Sequence, residues 1–101
     1  VPFYTRLWTE AGDGSITSKA MGIADAKKWV ENNQVELTWQ ADTAQYYGEK
    51  QTNDGAQFLW MEEERSLKEK MNVVRQNDLA GVACWKLGFE DSAAWDSIQW
   101  N

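Results

Sequence analysis

The sequence predicts an α+β fold built around two parallel strands that a helix connects. Residues 81–85 form a continuous apolar run between turn residues, which is typical of a parallel strand covered on both faces. Residues 1–8 show the alternation of a second strand at the start of the chain. Helical spacings and a hairpin signal lie between the two, so we expect an inserted helix and a three-stranded antiparallel meander there.

The first third of the chain predicts one strand and one helix. In the strand, alternate side chains share a face: Tyr4, Arg6 and Trp8 on one side, and Phe3, Thr5 and Leu7 on the other. Residues 11–14 are rich in glycine and are expected to end this strand. Apolar residues spaced by three and four positions predict a helix over residues 21–33, with Gly22 as its N-cap.

Three short strands are predicted next, over residues 35–40, 44–50 and 57–61. The last two flank residues 52–55, whose sequence Thr-Asn-Asp-Gly is typical of a hairpin turn. We therefore expect an antiparallel meander that packs on the first helix.

The last third of the chain predicts helix, strand and helix. Apolar spacing indicates a helix over residues 63–76, the buried strand follows at residues 81–85, and residues 91–100 form a terminal helix capped by Asp91 or Ser92. Without the insertion, the order is strand, helix, strand, which predicts a right-handed crossover. Such units occur within doubly wound sheets or (β/α)8 barrels, so we expect the chain to be a piece of a larger domain.

Composition excludes several classes of partner and site. The 101 residues carry a net charge of −6, so neither nucleic acid nor an anionic membrane is expected as a partner. Histidine is absent and Cys84 is the only cysteine, which excludes histidine-based nucleophiles and zinc sites built on histidine or several cysteines. Cys84 is interpreted as a small buried hydrophobe. We predict neither a metal site nor a cofactor.

Three segments occur in an informative order. Residues 2–6 read P-F-Y-T-R, residues 59–67 read L-W-M-E-E-E-R-S-L, and residues 79–85 read L-A-G-V-A-C-W. Together they resemble the C-terminal part of glycoside hydrolase family 18, in which P-x-Y-x-R marks the seventh barrel strand and G-V/A-x-x-W the eighth. The opening V-P-F-Y-T-R-L-W is similar to the spore-germination and cortex-acting branch, peptidoglycan hydrolases that are often joined to LysM modules.

The resemblance implies a division of the chain into barrel and insertion segments. Residues 1–9 would form the seventh strand of a TIM barrel, and residues 10–61 an α+β subdomain like the chitinase insertion domain. Residues 62–101 would supply the seventh helix, eighth strand and eighth helix. The rest of the barrel would be a partner of this segment. Alone, the chain would expose strand edges, so we expect self-association through them.

The resemblance also implies an enzyme in the full-length protein, acting on β-1,4-linked N-acetylglucosamine polymers, either peptidoglycan or chitin. In that family the sugar's own acetamido oxygen attacks the anomeric carbon while a glutamic acid protonates the leaving oxygen. The D-x-x-D-x-D-x-E motif that carries this glutamate is absent from the chain. We therefore expect no catalytic residue and no activity in the chain alone, and a parent that acts at the cell wall, at the spore or outside the cell.

The resemblance assigns sugar binding to three residues of this chain. Trp85 would form the floor beneath the reacting sugar, because an indole suits the apolar face of a pyranose. Tyr4 and Arg6 would donate hydrogen bonds to hydroxyl or acetamido groups. Without the resemblance, Trp85 is better explained as core. Arg6 could instead pair with a carboxylate elsewhere in the barrel, because an unpaired buried charge is costly.

Tyr47 and Trp60 are candidates for an outer sugar subsite, since the meander forms one wall of the cleft in the family. Aromatic residues on half-buried strands more often serve packing, which is the alternative for both. The acidic run of Glu62, Glu63 and Glu64 stands at a helix start, where negative charge complements the helix dipole, so we assign it a structural role.

Two other functions stay open from the sequence. A non-catalytic, lectin-like member of the same fold would bind the sugar without cleaving it. A free-standing α+β interaction module would have no sugar role, and it would bury Tyr4, Arg6 and Trp85 against partners within the chain.

Overall fold

A computed structural model of the chain describes residues 1–98 and has an α+β fold, which confirms the predicted class. Within these residues, five strands form one antiparallel sheet of order β2-β1-β5-β4-β3, accompanied by three helices. The elements are β1 (Tyr4–Ala11), β2 (Ile16–Gly22), α1 (Ile23–Asn32), β3 (Thr38–Gln40), β4 (Gln45–Thr52), β5 (Gly55–Met61), α2 (Glu64–Gln76) and α3 (Ser92–Ser97).

The predicted meander is present, but it is not a separate three-stranded sheet. β3, β4 and β5 pair in succession, and β5 continues the sheet onto β1. The hairpin turn lies where the sequence predicted it, at Asn53 and Asp54. A Cβ atom on the following Gly55 would lie 1.9 Å from the carbonyl oxygen of Glu10, so this glycine allows β5 to approach β1 closely.

Strand β2 is the element that the sequence analysis missed. Residues 11–14 end the first strand, as predicted, but they form the turn of a hairpin that joins β1 to β2. Gly14 has a φ of +87°, and the Asp13 carboxylate accepts hydrogen bonds from the Ser15 backbone N–H (2.9 Å) and hydroxyl (2.6 Å). β2 is an edge strand with a mostly exposed, polar sequence, so it lacks the apolar alternation by which a strand is predicted.

Helix α1 packs on one face of the sheet and creates a core there. Ala26 of the helix is buried with Leu7 of β1 and with Leu59 and Met61 of β5. These strand residues alternate with neighbours on the opposite face, as the sequence predicts. The expectation that the meander packs on the first helix is therefore confirmed.

A second core lies where the chain begins. It contains four buried residues from the N-terminus and the three helices: Phe3, Ile23, Leu67 and Ala94. Cys84 packs against this core and is partly buried. Gly22 is the N-cap of α1, as predicted, and a Cβ there would lie 2.9 Å from the Phe89 carbonyl oxygen. The Ile23 N–H donates to that same oxygen at 2.7 Å, so this hydrogen bond fixes the segment around Phe89 against the start of α1.

The prediction of a fully buried parallel strand over residues 81–85 is wrong for the described chain. Only an isolated parallel bridge joins Pro2 to Trp85, and β1 itself is antiparallel to both of its sheet neighbours. The Trp85 side chain is 67% exposed. An apolar run is buried on both faces only when neighbours cover both faces, and here the residues at the chain start supply one short neighbour.

Helix α3 begins as predicted, with the Asp91 carboxylate as N-cap accepting a hydrogen bond from the Ala94 N–H at 2.9 Å. It ends at Ser97, three residues before the predicted end at residue 100, which lies outside the described residues.

None of the helices in the described part of the chain is long and apolar enough to span a membrane.

Candidate functional site

The face of the sheet opposite α1 carries most of the predicted binding residues. We call it the open face, formed by alternate residues of three strands: Tyr4, Arg6, Trp8, Tyr47, Phe58 and Trp60. The strand register places Trp8 opposite Phe58 and Tyr47 opposite Trp60, so these side chains project from the same side. None of the six belongs to either buried core.

Trp60 is the centre of the aromatic contacts on the open face. Its ring lies 5.1 Å from the Tyr47 ring and 5.8 Å from the Phe58 ring, between ring centroids. The Phe58 contact is edge-to-face, a favourable arrangement for aromatic pairs. The buried Trp60 Nε1 has no hydrogen-bond partner among the described residues. Trp60 therefore packs against two aromatic neighbours, as the packing alternative predicts, but part of its side chain stays exposed to solvent.

Tyr47 presents a polar group at the edge of this aromatic cluster. Its hydroxyl donates a hydrogen bond to the Glu49 carboxylate at 2.9 Å. Desolvation of the phenol, together with this hydrogen bond and the negative charge of Glu49, raises the pKa of Tyr47 above its ordinary value. The phenol is therefore neutral at physiological pH and is oriented by its acidic neighbour.

Arg6 is exposed on the open face and finds no carboxylate partner among the described residues. Its Nε and Nη2 both donate to the Ser18 hydroxyl of β2, at 3.0 and 2.9 Å. A guanidinium has five N–H donors, so this single hydroxyl leaves several donors facing solvent. The salt-bridge alternative for Arg6 involves a carboxylate elsewhere in the barrel, so it stays a prediction.

Trp85 and Tyr4 line the same shallow depression of about 370 Å³. The other four lining residues belong to the two chain segments that form the parallel bridge: Val1, Pro2, Ala83 and Cys84. Backbone hydrogen bonds hold these segments together, from the Trp85 N–H to the Val1 oxygen (3.1 Å) and from the Phe3 N–H to the Trp85 oxygen (2.5 Å). The peptide bond that follows Trp85 is cis.

The structure thus brings Trp85 and Tyr4 into one site, with Arg6 two residues further along the same strand face. Tyr47 and Trp60 share the open face but lie on other strands and do not line the depression. The interaction-module alternative predicted burial of three residues, yet Tyr4 is only partly buried and Arg6 and Trp85 are exposed. That prediction is wrong, as is the interpretation of Trp85 as core within this chain.

The acidic run at the start of α2 has structural partners. Glu63 is the N-cap and forms a capping box with Ser66, whose N–H donates to the Glu63 carboxylate at 3.0 Å. The buried Glu62 carboxylate accepts hydrogen bonds from Lys70 at 2.6 and 2.7 Å. Glu64 pairs with Lys27 of α1. Within residues 1–98, no three metal-ligating side chains are grouped as a cation site requires.

The family model described as Glycosyl hydrolases family 18 matches residues 1–90. The chain belongs to this family. The resemblance found in the sequence motifs is thereby confirmed.

The relatives of this family 18 chain include bacterial lytic enzymes and chitinases. A cortical fragment-lytic enzyme of Bacillus anthracis is 28% identical over 79 residues, which is 77% of this chain and 17% of that protein. A chitinase of Chromobacterium violaceum shares the fold with a TM-score of 0.85 and 20% identity, over 97% of this chain and 30% of that one. The spore cortex-lytic enzyme SleL of Bacillus cereus has a TM-score of 0.81 and 19% identity, over 96% and 23%. This chain therefore spans less than a third of each of these relatives.

Two aromatic residues of the open face, Trp8 and Phe58, were not among the site candidates predicted from the sequence. Trp8 follows Arg6 by two positions, and Phe58 precedes Trp60 by two, so both lie on the open face by the alternation of a strand. The pattern was visible for Trp8. The pairing of β1 with β5, which makes Trp8 and Phe58 neighbours, joins residues 50 positions apart and leaves no local signal.

Proposed function

We propose that this chain is the sugar-holding segment of a family 18 glycoside hydrolase that acts on β-1,4-linked N-acetylglucosamine polymers. The observation that carries the proposal is the depression between Trp85 and Tyr4, where an exposed indole stands beside a phenol in a chain of this family. Trp85 stacks on the apolar face of the reacting sugar. Tyr4 and Arg6 donate hydrogen bonds to its hydroxyl and acetamido groups.

The exposure of these groups supports the assignment. An indole that is 67% exposed gains favourable free energy when a ligand removes its apolar face from water, and a pyranose presents a flat apolar face. Arg6 keeps unused donors beside Ser18, so it can add charge-assisted hydrogen bonds to an acetamido oxygen without breaking a salt bridge.

The chemistry assigned to the full-length protein is substrate-assisted hydrolysis. The acetamido oxygen forms a bond to the anomeric carbon as the glycosidic bond breaks, and the leaving oxygen takes a proton from a glutamic acid. This chain lacks the motif that carries that acid, so its contribution is to bind and orient the sugar. Arg6 and Tyr4 fix the acetamido group, and a fixed nucleophile lowers the entropic cost of the attack.

An outer subsite on the open face extends this proposal. Trp60 and Tyr47 lie there in ring contact, Phe58 contacts Trp60, and the strand register places Trp8 opposite Phe58. A polymer that leaves the depression along this face meets Arg6 and then a largely aromatic surface. The Tyr47 hydroxyl, held by Glu49, adds a polar contact at the far end.

The barrel assignment is also proposed here, with residues 1–9 and 62–101 in the barrel and residues 10–61 as its insertion. The parallel direction of the bridge between Pro2 and Trp85 and the exposure of Leu87 support it, because both are expected where barrel neighbours normally cover the chain. The names of the curated Bacillus relatives favour spore-cortex peptidoglycan as the substrate and the spore or cell wall as the place of action.

The test is titration of the chain with N-acetylglucosamine oligomers, followed by backbone NMR shifts and tryptophan fluorescence. We expect shifts centred on Tyr4, Arg6 and Trp85, and Trp85→Ala should abolish them. Trp39→Phe, on the opposite face of the sheet, is the matched control and should bind like wild type. Saturating sugar that shifts other residues, or none, contradicts the proposal. Release of reducing ends by the full-length protein distinguishes a hydrolase from a lectin-like relative.

A further inference from the structure

The pairing between β1 and β5 stops partway along both strands. It runs only as far as Trp8 opposite Phe58, yet β1 extends back to Tyr4 and β5 continues to Met61. Along the remaining stretch, β1 keeps β2 as its only ladder neighbour among the described strands. We call this separation of β1 from β5 the fork. Tyr4 and Arg6 both lie on the forked stretch.

One side chain spans the fork. The Thr5 hydroxyl accepts a hydrogen bond from the backbone N–H of Glu62 at 2.9 Å. Thr5 is 2% exposed and Glu62 is 1% exposed, so solvent does not reach this bond. The Glu62 N–H lies just past the end of β5, and a buried N–H without a partner is costly. The Thr5 hydroxyl thus replaces the ladder bond that the separated strands cannot make.

Glu62 is itself firmly held. Its carboxylate accepts hydrogen bonds from Lys70 (2.6 Å) and Ser66 (3.0 Å) of α2 and from Gln45 (2.9 Å) of β4. The Lys70 bond is charge-assisted and its Glu62 acceptor is buried, which strengthens it. Thr5 is therefore tied to an anchor that α2 and β4 hold in place independently of β1.

We infer that Thr5 is a positioning residue that sets the place of Tyr4 and Arg6 on the open face. Successive side chains of a strand point to opposite faces, so fixing Thr5 on the covered face fixes both of its neighbours on the other. Without the hydroxyl, the forked stretch is free to shift relative to β5, and the two donors lose their preorganisation. This role rests on the proposed function insofar as Tyr4 and Arg6 bind sugar.

The test compares three variants of the chain. Thr5→Val removes the hydroxyl and keeps the shape, whereas Thr5→Ser keeps the hydroxyl. Thr9→Val is the matched control, because Thr9 lies on the same face of β1 within the paired part and accepts a 3.3 Å bond from Gln57. In the unliganded chain, NMR relaxation should show less ordered Tyr4 and Arg6 amides in Thr5→Val only. Thr5→Ser should restore the order.

Sugar affinity is the second readout. We expect Thr5→Val to weaken binding of the N-acetylglucosamine tetramer by about three- to tenfold, the range for one neutral hydrogen bond. Thr5→Ser and Thr9→Val should stay near wild type. Unchanged order and affinity in Thr5→Val would overturn the positioning role. A wild-type chain that binds no sugar, with Tyr4 and Arg6 loosened in Thr5→Val, would reject the proposed function and support the positioning role.

A measurement on the wild-type chain keeps the inference falsifiable if Thr5→Val does not fold. The Glu62 amide should exchange with deuterium as slowly as the paired amides of β5, because a buried hydrogen bond protects it. Exchange as fast as that of an exposed loop amide would show that the bond does not persist, and the positioning role would be overturned.

Discussion

Apolar side chains on one face of the five-stranded sheet are buried beneath α1, whereas those of residues 79–90 are largely exposed. Leu59 of β5 is fully buried beneath α1, whereas Leu87 is 82% exposed. In the sheet, the three central strands have a neighbour on each side, whereas, among the described residues, residues 83–85 pair only with the first residues of the chain. Both regions are rich in apolar residues. An apolar pattern therefore predicts which side chains are suited to burial, but whether they are buried depends on residues elsewhere in the chain that pack against them.

The largest expected effect follows from truncating one leucine in each region. Leu59→Ala should lower the free energy of unfolding by about 3 kcal/mol, because it leaves a cavity in a filled core. Leu87→Ala should change it by less than about 0.5 kcal/mol, because its side chain is already in water. Urea unfolding followed by circular dichroism measures both. Equal losses would show that residues 79–90 are covered in solution.

Two glycines sharpen the same contrast. Gly55→Ala places a Cβ against the Glu10 carbonyl of β1, and we expect a loss of about 2 kcal/mol as the strands are pushed apart. Gly81→Ala adds a methyl group where no atom lies within 4 Å, so its unfolding free energy should stay within about 0.5 kcal/mol of wild type. Thermal unfolding provides the comparison. A tolerated Gly55→Ala would mean that β5 and β1 pair more loosely than described.

Self-association, which is expected through exposed strand edges, should also depend on the uncovered apolar side chains of residues 79–90. Leu87→Lys replaces an exposed apolar side chain with a charge, and we expect it to weaken dimerisation by about tenfold. Lys19→Glu, a charge change on the edge strand β2, is the control that separates apolar contact from edge pairing. Sedimentation velocity over a range of concentrations measures both. A chain that remains monomeric at high concentration would contradict the expected self-association.

The smallest expected effect concerns the two ion pairs of Lys27, which join α1 to the starts of α2 and α3. Lys27 of α1 donates to both Glu64 of α2 and Asp91, the N-cap of α3 that follows residues 79–90. Burial alone would lower the pKa of Lys27, but its bonds to Asp91 and Glu64 outweigh this and raise it. Burial alone would likewise raise the pKa of Glu64, yet Lys27 holds it below its ordinary value. Both shifts show that the pair favours the folded chain.

The sign of the pH dependence follows from these directions. The Glu64 contribution is complete above its unfolded pKa near 4.5 and is lost as the pH falls through the lower folded pKa. The Lys27 contribution is complete below 10.5 and is lost at higher pH. Lys27→Met should therefore cost about 1 kcal/mol or less near neutrality, since both groups are partly exposed, and should flatten the acid decline below pH 4.5. An unaltered acid decline in unfolding measurements would contradict this.

Local features were predictable because their causes lie within a few residues. The turn before Gly55, the N-cap at Gly22 and the start of α3 at Asp91 follow from turn and capping chemistry. The choice of Tyr4, Arg6 and Trp85 as the candidate site came from family motifs, not from periodicity. Strand β2 escaped prediction because an exposed edge strand needs no apolar face.

The amino-acid sequence is enough to predict the α+β class, the helices, the hairpin turn and the membership in family 18, because helical spacing and turn chemistry act between residues close along the chain. Three features depend on distant contacts and had to be seen in three dimensions. β1 joins the meander in one sheet, Trp85 is exposed in the depression that Tyr4 also lines, and Thr5 reaches across the fork to Glu62. Burial and pairing depend instead on which distant residues arrive to cover a side chain or accept a hydrogen bond.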